Sequence, residues 1–234
     1  MKVAEIMTEL QAMGSESIKK ILLKHGVKEP FFGVKVEHLK TIQKKVKKDY
    51  QLAKDLYATG NADAMYLAGL IADDKKMTKA ELQIWVEQAV SNNIAEYTVP
   101  WVATEGNYGF ELAVEWIEYS QEYIAAAGWC TLANFVSLKP DTELDMDKLK
   151  ALLLQVEQNI HTSQNRIRST MNMFLISLGT YVNELTDLTI ATANRIGPVT
   201  VIKEGTACKT PSAVDYINKA RAKGVVAKKK TVKC

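Results

Sequence analysis

Cysteine is scarce in this chain: Cys130, Cys208 and Cys234 are the full set, far apart and odd in number. That excludes a disulfide framework and a Cys-x-x-Cys metal site, and it fits a reducing cytoplasm. Cys130 lies in an apolar stretch and reads as a small core residue. Cys208, beside Lys209, is the candidate for a more reactive thiol. Histidine is equally thin. His25, His38 and His161 do not fall at metal-ligand spacing with another ligand, so no zinc or iron site is expected. Neither G-x-G-x-x-G nor G-x-x-x-x-G-K-[ST] occurs, nor does G-x-S-x-G, so the sequence calls for no cofactor. No apolar run approaches the roughly 18 residues that span a bilayer, and the N-terminal stretch shows no signal-peptide core. No membrane partner is expected. The carboxylate pairs Asp73-Asp74 and Asp145/Asp147 sit at helix ends, where capping explains them.

What is present is an ordinary globular composition, 47% hydrophobic and 24% charged, in a chain of 234 residues that can bury a real core. The net charge of +3 hides an asymmetry. Residues 203–234 hold nine Lys or Arg against two acidic residues, which leaves the rest of the chain at −4. A basic end on an acidic body points to a polyanion, nucleic acid first; the alternative is a solvated tail. A second basic cluster, Lys40, Lys44, Lys45, Lys47 and Lys48 with Lys35, faces only Glu37 within its segment.

Helical periodicity runs through almost the whole chain. Helices are predicted over 2–13, 15–25, 36–46, 49–59, 61–73, 78–90, 93–103, 109–119, 121–138, 145–160, 163–182, 184–196 and 211–222. Pro30 with Gly33, Gly60 and Lys139-Pro140 punctuate them, and Thr78-Lys-Ala-Glu81 has the form of a capping box. A short extended piece is expected around Val199–Ile202. Helix pairs recur about every 35–40 residues, the period of HEAT-type repeats. One such pair cannot bury its own apolar face, so stacked neighbours make the core. The expected fold is an all-α, HEAT-like repeat solenoid with a concave basic face, a single domain over 1–224, and a disordered basic tail over 225–234.

The helix over 163–182 organises the rest. Ile167, Met171, Phe174, Leu178 and Tyr181 line one face, while Met173, Ile176 and Val182 add apolar surface off that stripe. Yet its first turn carries Arg166 and Arg168, with Asn165, Ser169 and Asn172 beside them. This is a buried helix with a basic entrance, suited to lining a groove for an anionic ligand or to pairing with neighbouring carboxylates. The aromatics Tyr97, Trp101, Tyr108, Trp116, Tyr119, Tyr123 and Trp129 crowd into the middle third. They either build core or, where exposed, stack on bases.

The segments Phe32-Gly-Val-Lys-Val-Glu-His-Leu39, Ala62–Asp73 and Arg166-Ile-Arg-Ser-Thr-Met-Asn-Met173, in this order, resemble the AlkD-like DNA alkylation repair proteins. These are bacterial HEAT-like repeat proteins, and the resemblance covers roughly residues 15–185. It implies duplex DNA on a concave basic face and, in active members, excision of positively charged alkylated purines. That chemistry uses an Asp that stabilises charge on the sugar, two Trp at the lesion and an Arg on the phosphate. The family's Trp-x-x-x-Asp falls at Tyr97 and Trp101, its Arg at Ala125, and its later Arg-x-x-x-x-Trp at Arg168 and Met173. Three of the four catalytic positions (the Asp, the Arg and the later Trp) thus change chemistry, and the fourth is Tyr for Trp.

The resulting expectation is a monomeric protein that holds duplex or branched DNA and lacks base-excision activity. Its phosphate contacts would come from Lys40, Lys44, Lys45, Lys47, Lys48, Arg166, Arg168, Lys228, Lys229 and Lys230. One alternative is a working glycosylase that uses Glu96 or Glu105 as a relocated carboxylate. Another is a protein–protein scaffold.

Overall fold

The computed structural model describes residues 1–202 and 210–233. The expectations for Cys208, Lys209 and Cys234 therefore lie outside the described residues. The chain divides into two compact units, one of residues 1–108 with Lys233, the other of residues 109–232. The first holds α1 (Val3–Ala12), α2 (Glu16–Lys24), α3 (Val36–Val46), α4 (Tyr50–Tyr57), α5 (Ala62–Ile71) and α6 (Lys79–Glu87), then a π-helical turn, Ile94–Thr98, that runs into α7 (Val99–Glu105). The second holds α8 (Gly109–Trp116), α9 (Glu122–Leu138), α10 (Met146–Asn159), α11 (Asn165–Tyr181), α12 (Thr186–Ile196) and α13 (Ala213–Arg221), with short 3-10 turns before α10 and α12. No strand occurs among the described residues; Val199–Ile202, expected to be extended, is held by a side chain instead.

Local chemistry starts many of these helices. Asn61 accepts the N–H groups of Asp63 and Ala64 at the head of α5. Thr78 and Glu81 form the reciprocal capping box of α6. Asp49, Asp145 and Ser212 cap α4, α10 and α13. The helix predicted over 93–103 is instead two segments. Pro100 has no N–H to return to the preceding turn, and the backbone widens to π geometry just before it.

In the first unit α5 is buried at every position. Gly69 lets it approach the π turn, since a Cβ there would lie 2.4 Å from Thr98 Cγ2. Asp63, near the start of α5, ties down the loop that carries Pro30 and Gly33. Its carboxylate accepts the N–H groups of Phe32, Gly33 and Val34 at 2.6, 3.0 and 3.1 Å. Burial pushes this carboxyl's pKa up and the three donors pull it down, the net shift being upward. Glu81 joins α4 to α6. It accepts from Tyr50 Oη at 2.5 Å and meets the Lys54 ammonium at 2.6 Å.

In the second unit α9 and α11 run parallel, as the inner helices of successive repeats do. At their starts the Arg166 N–H donates to Glu122 Oε1 at 2.7 Å, and half-way along Trp129 meets Phe174 at 5.4 Å between ring centroids. The last helix, α13, continues the series. Asn172 on α11 donates to the Pro211 carbonyl just before α13, and Arg221 at the far end of α13 donates to the Thr180 carbonyl. The other members of the pairs, α8, α10 and α12, pack against this row. Gly128 and Gly179 make the packing close: a Cβ would lie 2.8 Å from the Ile117 nitrogen at the first and 2.5 Å from Ile217 Cδ1 at the second.

Two expectations, the single domain and the disordered tail, bear on this arrangement. The single domain over 1–224 meets two compact units. The tail expected to be disordered makes defined bonds, for the reason that exposed carbonyls at helix C-termini attract cations. Lys228 Nζ donates to the Val136 carbonyl at 2.8 Å and pairs with Asp141 at 2.7 Å. The Lys229 N–H donates to the Ser137 carbonyl, and its ammonium lies 5.6 Å from the Tyr181 ring centroid.

Two outcomes follow for stability. Phe174 has no exposed surface, so F174A is expected to cost about 3–5 kcal/mol in urea denaturation; a loss below 1 kcal/mol, on the order of a surface change, would show that the α9–α11 seam is not the core. Burial raises the Glu81 pKa, but Lys54, Tyr50 and the Thr78 donors outweigh it and bring it from the ordinary 4.5 to about 2. A depressed carboxylate stabilises above its unfolded pKa and loses that contribution as pH falls through its folded value. E81Q should therefore be less stable than the native chain at pH 7, by about 1–2 kcal/mol given its partial exposure. The gap should close between pH 4.5 and about 2. A gap independent of pH would refute the assignment.

Candidate nucleic-acid interface

The first turn of α11 contains no acidic residue and two arginines. Cations at the positive end of a helix are unfavourable unless an anion joins them. Glu122 partly answers this by accepting the Arg166 backbone N–H. Arg168 is half-buried, and its Nε is enclosed without a hydrogen-bond partner among the described residues. Neighbouring Asn165 uses both ends of its carboxamide on Ile202, donating to the carbonyl at 2.8 Å and accepting the N–H at 2.7 Å. This fixes the chain after α12 beside the arginines. Nothing in the sequence spacing signalled that bond.

The lysines near α3 divide. Lys45 pairs with Glu9 at 3.0 Å and Lys48 with Asp74 at 3.1 Å. Lys44 and Lys47 are exposed and Lys40 is half-buried, and none of these three has an ion-pair partner among the described residues. Lys47 sits just past the end of α3 with a positive φ of 64°. In the first unit Asp74 also receives Lys233, at 2.6 Å. Burial pushes the Lys233 pKa down, against the upward pull of Asp74 and Glu105. Of the tail lysines, Lys228 and Lys229 hold helix ends as described, and Lys230 is exposed.

The positions matched to the family's catalytic residues are scattered in character. Trp101 is 3% exposed and packs edge-on against Tyr66 at 5.3 Å and Tyr97 at 6.2 Å. Tyr97 stands 42% exposed on the π turn. Ala125 is wholly buried within α9, and Met173 is half-buried on α11. Glu96, next to Tyr97, turns inward and is 4% exposed, while Glu105 is half-buried at the end of α7. Trp116 and Trp129 are core residues, and Tyr119 is exposed. Among the described residues no group of three His, Cys, Asp or Glu is arranged to hold a metal ion, and no helix is long and apolar enough to cross a membrane.

Stacked helix pairs with a parallel inner row define an all-helical, HEAT-like repeat protein. The family described as DNA alkylation repair enzyme matches residues 6–207, and the chain belongs to that family. It is 30% identical over 220 residues to an uncharacterised protein of Listeria innocua, covering 92% of this chain and 95% of that one. An uncharacterised Listeria monocytogenes protein matches to the same extent. A solved structure superposes over the full length of both chains with a TM-score of 0.92 at 34% identity. It represents a family of proteins related to the HEAT-like repeat DNA glycosylases, with affinity for branched DNA structures.

Proposed function

We propose that this protein holds branched DNA through its phosphates and does not excise bases. Arg168 carries the reading. A half-buried guanidinium whose enclosed Nε has no hydrogen-bond partner among the described residues has lost hydration at that atom without replacing it. Arginine matches a phosphate in two-point geometry, and the N-terminus of α11 adds favourable dipole. Lys40, Lys44 and Lys47 offer further cations that no carboxylate among the described residues neutralises. The affinity of the structural relative for branched DNA supports the choice of ligand. Contacts of this kind position a backbone and read little sequence.

The absence of excision rests on the chemistry at the family's positions. Losing an N-glycosidic bond builds positive charge on the sugar, which a fixed anion stabilises best. At that position Trp101 offers a ring face only, and it is buried. Ala125 has no group to anchor a phosphate. The relocated-carboxylate alternative is not favoured by Glu96, which faces inward.

Binding to a branched duplex is expected at low salt and should weaken steeply as salt rises. Changing Arg166 and Arg168 together to Ala should flatten the log–log salt slope by roughly 2 units. Binding that ignores salt would sink the phosphate reading.

Incubated with DNA carrying methylated purines, the protein should release no base above the uncatalysed background. A cation–π contact contributes about 0.5–2 kcal/mol, and each tenfold in rate needs about 1.4 kcal/mol. If base release is observed, E96Q and E105Q identify the carboxylate responsible, and activity lost in either establishes a glycosylase.

A further inference from the structure

We infer that α13 and the cavity at its start form a trough for unpaired nucleotides of single-stranded DNA. This rests on the branched-DNA reading above, because a branch point exposes bases that a continuous duplex keeps stacked.

The trough has two parts that share Pro211, Ser212 and Asp215. The inner part is a cavity of about 320 Å³ between α11, the end of α12 and the start of α13. That is at the small end of ligand sites, whose walls are mostly apolar with a few placed polar groups. Here the polar groups are carboxamides, hydroxyls and the Asp215 carboxylate. Asn172 is buried and donates to the Pro211 carbonyl at 3.0 Å, which fixes the direction of its carboxamide. Asn194 and Thr210 stand at the lining too. The outer part is an open hollow of about 400 Å³ along α13, bounded by Tyr216 and Lys219.

The chemistry selects the occupant. A nucleobase has flat apolar faces and an edge of donors and acceptors, and only an unpaired base presents both. The apolar part of the lining, Leu175, Ile196, Pro198 and Val199, suits the faces, and the carboxamides suit the edge, since Asn offers a paired donor and acceptor. Tyr216 is 55% exposed on the helix that carries Ile217 into the core, so packing does not account for its ring. An exposed aromatic beside a cation is the arrangement on which successive bases stack while the backbone meets a positive charge. Lys219 supplies that charge and has no ion-pair partner among the described residues. Asp215 disfavours a phosphate at the capped end of α13, so the backbone must run past Lys219 and place its base toward the cavity. A duplex is far too wide for either part.

The test uses the full chain and two fluorescent probes, a junction whose arms are all duplex and a short single-stranded oligonucleotide, followed by anisotropy. Y216A and K219A should weaken binding of the single strand, Y216A by about 10-fold or more. Both should leave the duplex-armed junction unchanged, and Y216W should restore single-strand binding. N194A should weaken the single strand as well. If the native chain binds the junction but not the single strand, or if Y216A lowers both equally, the trough is overturned and the branched-DNA reading stands. If the junction is not bound and the single strand is bound in a Tyr216-dependent way, the trough stands and the earlier reading fails. Binding of neither probe overturns both.

Discussion

A two-helix pair exposes one apolar face however well its own helices pack. That constraint governs the second unit. The row α9, α11, α13 exists because each pair must cover the face left open by the one before it. The contact that anchors the row is Trp129 against Phe174. Large side chains set the spacing there, and two glycines permit it elsewhere. At Gly128 and Gly179 the neighbouring element comes so close that a single methyl group would collide with it. The orientation of α11 follows from this packing, and with it the place where Arg166 and Arg168 emerge.

The first unit meets a different demand. Its central helix α5 has no solvent face, so the surrounding elements are fixed to it by polar as well as apolar contacts. Asp63 does this from within the helix, by gathering three consecutive backbone N–H groups of the loop before α3. A buried carboxylate with that many donors is a satisfied group, and its removal would leave donors unpaired. The lysines of α3 are thereby carried on a rigid support. Their division into paired and unpaired members then follows from which carboxylates α1 and the chain after α5 bring near them.

Charge in the second unit is ordered by helix ends. The C-terminal ends of α9 and α11 receive Lys228, the Lys229 backbone and Arg221, each donating to a terminal carbonyl. Those donors, two of them cationic, satisfy carbonyls at the negative ends of the row. The opposite end of α11 holds Arg166 and Arg168 where the dipole is already positive. At that end the Glu122 carboxylate accepts the Arg166 backbone N–H, so both ends of the element are met by charge from elsewhere in the second unit.

The sequence by itself determined a great deal. Apolar spacing of three and four located the helices, and Thr78 and Asp145 marked starts that the structure keeps, because caps and helical faces are local properties. It also placed Phe174 and Leu178 in the core and Arg166 and Arg168 on one turn. The resemblance of short segments reached the family. Tertiary structure alone decided the rest. Pro100 and the packing of α5 turned part of a predicted helix into a π turn, so that Tyr97 faces out and Glu96 in. Glu9 and Asp74, far from the lysine cluster in sequence, chose which lysines are neutralised. The tail looked like solvated charge because its partners, Val136, Ser137 and Asp141, lie some ninety residues away. Tyr216 and Lys219 gave no signal in the sequence, since a cavity forms only when separate elements close around it. Periodicity and capping reach one turn along the chain, whereas charge pairing and concavity depend on which distant elements arrive at the same place.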